Sequence, residues 1–189
     1  SNGDEIVTNG TFTVDAAAQL QGKKSMMNKS KDEDTMKAVN SMDLSLPKDF
    51  QSAFQKSLQP YFEMKDAFVS GDTDKVSAFA KVTSQELKSI NSNGLGKMEQ
   101  SYLDQSINML RAIAGNENLE NQREHFVILN ENMVALAMNI TGFETEIYVQ
   151  KCPMANNNKG AVWLSTEEEI KNPYYGDAML TCGSVIDSL

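Results

Sequence analysis

The chain is poor in the side chains that carry most enzymatic chemistry. In 189 residues it has one His, two Cys, one Trp and four Pro. A single imidazole leaves few routes to general acid–base work at neutral pH. No Gly-x-Ser-x-Gly elbow, phosphate loop, dinucleotide fingerprint or His-Glu-x-x-His helix occurs. Cys152 as a nucleophile with His125 as its base is the one pair on offer, and no local pattern joins them. The sequence therefore reads as non-catalytic. Positive charge is also scarce: 17 Lys+Arg stand against 26 Asp+Glu, a net charge of -9. That balance excludes nucleic acid as a partner, because its phosphates would be repelled. No apolar run approaches the ~18 residues of a membrane span. No secretory leader opens the sequence; Ser1-Asn2-Gly3-Asp4 reads as a cut end.

What is plentiful is methionine, with 11 residues, within a chain that is 40% hydrophobic. That composition suits one packed domain with an appendage. Residues 1–21 read as a β-hairpin. Ile6 and Val7 precede Asn9-Gly10, a two-residue turn signal, and Phe12 and Val14 follow in alternation. Residues 22–46 are polar and of mixed charge with no apolar face, and read as a linker. Its Met26, Met27, Met36 and Met42 offer thioethers to a soft metal but read first as incidental residues of that linker.

From Pro47 a helical period takes over. Phe50, Phe54, Leu58, Tyr61, Met64 and Phe68 recur at steps of three and four, and Gly71-Asp72 closes one helix and caps the next. The second helix runs to about Asn91. The third spans Lys97 to Ala114, with Leu103, Ile107 and Leu110 on its stripe. The fourth spans Leu119 to Ile140, with Phe126, Leu129, Met133 and Leu136 on one face. Four amphipathic helices joined by short Gly/Asn turns predict a mainly α fold, an antiparallel four-helix bundle over residues 47–189. Its C-terminal part is a small irregular β and loop segment. Residues 145–150 and 161–164 alternate as short strands. Ser165-Thr166-Glu167-Glu168 reads as a capping box opening a short helix that Asn172-Pro173 ends.

The chemistry concentrates in that last segment. Cys152-Pro153-Met154 and Met179-Leu180-Thr181-Cys182-Gly183 each pair one thiol with one thioether. Two thiolates and two thioethers form a soft donor set, suited to Cu(I) or Ag(I) rather than to Mg or Ca. Neither cluster holds two Cys, so this is no zinc-ribbon spacing. A disulfide between Cys152 and Cys182 is the competing reading, and two free buried thiols a third. His125, in Gln122-Arg123-Glu124-His125-Phe126, can add an imidazole to a metal site or simply lie on its helix. Trp163 reads as a core anchor, and Glu167-Glu168-Glu169 as a helix first turn.

Two stretches resemble known families. Residues 6–22, Ile6-Val7-Thr8-Asn9-Gly10-Thr11-Phe12 through Gln21-Gly22, resemble the C-terminal end of periplasmic adaptor (membrane-fusion) subunits of copper/silver efflux pumps of the RND class. Most of residues 47–189 resembles an uncharacterised helical domain attached to such adaptors. That likeness is carried by Tyr61-Phe62-Glu63-Met64, Gln122-Arg123-Glu124-His125-Phe126, Val149-Gln150-Lys151-Cys152-Pro153-Met154, Asn172-Pro173-Tyr174-Tyr175-Gly176 and Met179-Leu180-Thr181-Cys182-Gly183. The Cys-Pro-Met and Met-Leu-x-Cys-Gly pieces are also similar to small heavy-metal-binding domains of these pumps. There the sequence departs from the pattern: Ala155 stands where those domains carry His. The resemblance implies a periplasmic location and a role in metal efflux. It implies an inner-membrane transporter and an outer-membrane channel of a tripartite pump as partners. It also implies soft-metal binding at Cys152, Met154, Met179 and Cys182, with Met64 and His125 weaker members of the set.

Overall fold

The computed structural model describes residues 44–189. The expected hairpin, 1–21, and residues 22–43 of the expected linker lie outside them. Four long helices follow: α1 (Lys48–Ser70), α2 (Thr73–Ser89), α3 (Lys97–Ala114) and α4 (Leu119–Ala137). Each pairs with its successor, as short connections require. The caps are those the residues dictate. Gly71 adopts φ 72°, and the amides of Asp72 and Gly71 return to the carbonyls of Ala67 and Phe68. Asp72 then accepts the Lys75 amide to start α2 at 3.0 Å, and Asn118 does the same for Asn121 at α4. The last residues of the expected linker are in fact packed. Leu46 is buried, and the Leu44 amide bonds Asn139. Among the described residues no helix is long and apolar enough to cross a membrane.

The stripes of α1 and α4 meet through aromatic rings. Phe126 lies against Phe68 and Tyr61, with ring centroids 4.4 and 6.0 Å apart. Met64 and Met133 are fully buried among these side chains and serve as core fillers.

After α4 the chain builds a three-stranded antiparallel sheet, β1 (Tyr148–Cys152), β2 (Ala161–Ser165) and β3 (Ser184–Ser188), in the order β2-β1-β3. β1 starts later than alternation suggests and carries Cys152 as its last residue. β3 is a strand beyond the two that the alternation predicts. The helix expected after Ser165 does not form. Ser165 ends β2, its hydroxyl accepts the Glu167 amide at 3.1 Å, and the run continues as a bent loop. The buried Gln150 side chain donates to the carbonyls of Glu167 and Glu168 at 2.8 and 3.1 Å, which holds that loop without a helix.

A buried polar network fastens the sheet to the bundle. Tyr61 of α1 donates to Asn130 of α4 and accepts the Leu164 amide of β2 at 3.0 Å. Asn130 donates to the Tyr174 hydroxyl at 2.9 Å, and Tyr174 donates to the Val162 carbonyl at 2.6 Å. Tyr174 also packs between Phe126 and Trp163, whose ring it meets edge-on. Burial pushes the ionisation of both phenols well above their ordinary range.

Candidate functional site

Register brings the two cysteines together. Lys151 opposes Ser184 in the β1–β3 pair. Extending that pairing by one step sets Cys152 opposite Gly183, so Cys182 stands at the end of the sheet beside it. The two Sγ atoms lie 3.2 Å apart and are not bonded to each other. Cys152 is wholly buried, whereas Cys182 is half-buried. The contact with the Cys152 thiol, then burial, raise the Cys182 pKa above that of an ordinary thiol.

Cys182 sits on a turn held from three sides. Its amide donates to the Met179 carbonyl at 3.0 Å. Its carbonyl accepts from Nδ2 of Asn172 at 2.9 Å. The Asn172 amide reaches the Leu180 carbonyl at 2.8 Å, and its Oδ1 accepts the Tyr174 amide at 2.8 Å. Gly183 completes the turn at φ +144°. A Cβ there would lie 2.9 Å from the Lys151 carbonyl oxygen and 3.1 Å from the Trp163 ring. Asn172 is not among the residues the sequence ties to the site, whereas Gly183 closes the Met179–Gly183 motif on which the site is read.

Met154 and Met179 lie on the two segments that carry the thiols, and both are exposed, at 44% and 39%. That is unusual for methionine, a residue normally found in cores. Met154 follows β1 by two residues, and its carbonyl accepts the Tyr175 hydroxyl at 2.8 Å. It leads into a helical turn, Ala155–Asn158, in which Asn156, Asn157 and Asn158 all take left-handed backbone angles. The structure thus brings Cys152 and Cys182 into contact and leaves two thioethers free beside them in the chain. His125 is half-buried on α4. Among the described residues no three His, Cys, Asp or Glu side chains form a group able to hold a metal. The imidazole therefore does not join both thiols, and any soft site here rests on sulfur.

Residues 57–145 match a family described as a protein of unknown function, DUF3347. The matched stretch runs from the middle of α1 through α4 and includes His125, but it stops before β1 and all four sulfur residues. No curated protein and no solved structure matches the chain.

Proposed function

We propose that this domain is an accessory module of the cell envelope, in the periplasm, that binds a soft monovalent cation, Cu(I) or Ag(I), for a heavy-metal efflux adaptor. Cys152 and Cys182 are the primary ligands, and Met154 and Met179 supply thioethers. One observation carries the reading: two unbonded thiols meet at 3.2 Å, on segments that each also carry an exposed methionine. Metal–thiolate bonds of roughly 2.3 Å put two sulfurs of one tetrahedral site roughly 3.8 Å apart. The pair needs to open by only about half an ångström from its present separation, and Cys182 is the partly exposed member of the two. The adaptor setting, with an inner-membrane transporter and an outer-membrane channel as partners, is supported by the resemblance of residues 6–22 to adaptor ends.

The test is titration of the fully reduced protein with Ag(I) or Cu(I) against a competing chelator. One tightly held equivalent is expected, lost in the Cys152→Ser/Cys182→Ser double variant. Equal uptake by both proteins would sink the reading. A second reading draws on the same contact: an oxidised Cys152–Cys182 pair would make the domain a stapled structural or protein-interaction module. Thiol counting on protein isolated without reductant separates the two. Two free thiols favour the metal module, and none favours the staple.

A further inference from the structure

We propose that Cys182 is the sulfur at which a low-molecular-weight disulfide modifies this protein, and that Cys152 is its built-in resolving thiol. The assignment rests on access. Cys182 is partly exposed on the turn before β3, whereas Cys152 is fully buried at the end of β1. An external disulfide can therefore reach the first and not the second. The sulfur of Cys152 waits 3.2 Å behind that of Cys182. Closing to a bonded distance of about 2.05 Å takes a movement of only about 1.2 Å.

The exchange balances in two steps. The Cys182 thiolate attacks one sulfur of R–S–S–R. A Cys182–S–S–R bond forms, the original disulfide breaks, and RS⁻ leaves and takes up the proton given by Cys182. The Cys152 thiolate then attacks Sγ of Cys182. The Cys152–Cys182 bond forms, the second RS⁻ leaves, and it takes up the proton from Cys152. Two protein thiols lose two electrons together, and one disulfide becomes two thiols. The reverse order would require β1 to open before chemistry began, because Cys152 pairs with Ala161 inside the sheet. This inference uses the same sulfurs as the metal reading and does not rest on it, since it concerns the metal-free reduced chain.

The experiment treats the reduced full chain with oxidised glutathione, quenches with acid at intervals and reads masses. The native sequence is expected to lose two hydrogens and release two glutathiones, with no lasting adduct. Cys152→Ser should stop at a stable adduct of one glutathione on residue 182. Cys182→Ser should form its adduct at Cys152 at least about tenfold more slowly, the cost of a local opening. Comparable adduct rates in the two variants would overturn the assignment, as would a mixed disulfide that persists in the native sequence. Because either substitution can loosen the sheet, brief alkylation of the unsubstituted protein with iodoacetamide provides an independent reading. Peptide mapping should find Cys182 labelled first, and equal labelling of both cysteines would also overturn it.

Discussion

The side chain of Asn172 spans from the Tyr174 amide to the Cys182 carbonyl, accepting at 2.8 Å and donating at 2.9 Å from a fully buried position. It is a positioning residue: it touches no thiol, yet it ties the turn that carries one. Asn172→Ala would leave two main-chain groups without their present partner. At about 1–3 kcal/mol for each unsatisfied buried group, a loss of roughly 2–6 kcal/mol is expected in urea unfolding. Faster alkylation of Cys182 should accompany it. A variant as stable as the parent would show that water or a neighbour replaces the amide.

The Tyr61–Asn130–Tyr174 network makes stability depend on alkaline pH. Both phenols are buried and neutral, and burial raises their folded pKa above the ordinary value of 10.0. The native state therefore keeps protons that the unfolded chain releases above that pH. The contribution is fully present below about pH 10 and is lost as pH rises beyond it, at about 1.4 kcal/mol per pH unit for each phenol. Tyr61→Phe/Tyr174→Phe should flatten this alkaline slope. At neutral pH, Tyr61→Phe alone should cost about 1–3 kcal/mol, because the buried Leu164 amide loses its acceptor. Unfolding followed from pH 8 to pH 11 in both proteins checks the pair of expectations. Identical slopes would contradict the assigned cause.

Helices were legible because their signals are local. The steps of three and four through Phe50, Phe54, Tyr61 and Phe68 specify one face, and these residues are buried where α1 meets the core. Gly71, Asp72 and Asn118 then mark the ends by caps that need only their neighbours. The C-terminal segment was harder, since its partners are distant in sequence. Ser184–Ser188 is short and partly exposed, and it becomes a strand only because β1 offers an unpaired edge. The Ser165–Glu168 signature was outcompeted by Gln150, which satisfies the carbonyls that a helix would otherwise have used. The two Cys stand out by scarcity and by the methionine near each, but their contact follows from the β1–β3 register. His125 was singled out by rarity, a property that carries no spatial information.

Gly183 tests how closely strand entry and thiol placement are linked. At φ +144° it occupies backbone space that side chains rarely enter. An added methyl would press on the Lys151 carbonyl and the Trp163 ring. Gly183→Ala should therefore cost about 1–3 kcal/mol from backbone strain. The clash adds to that, and relief is expected through displacement of Cys182. Its signature is a combined loss: a lower urea midpoint together with slower formation of the Cys152–Cys182 bond. A stability loss with unchanged closure rate would separate the strand from the thiol geometry.

Oxidation of the pair should stabilise the fold chiefly by restricting the unfolded chain. The bridge would close a loop between positions 30 apart. In the chain-entropy picture a loop of this size is worth about 3–4 kcal/mol. The gain should be realised with little strain, because the sulfurs already touch and the turn at Cys182 is only half-buried. Urea unfolding of oxidised and reduced protein, each with its thiol count verified, measures the difference directly. Asn172→Ala supplies the control. If that amide holds the reduced turn in place, the variant should gain more from oxidation than the parent does, since the covalent bond then replaces a lost constraint. Equal gains would assign Asn172 to stability of the segment at large and not to the placement of Cys182.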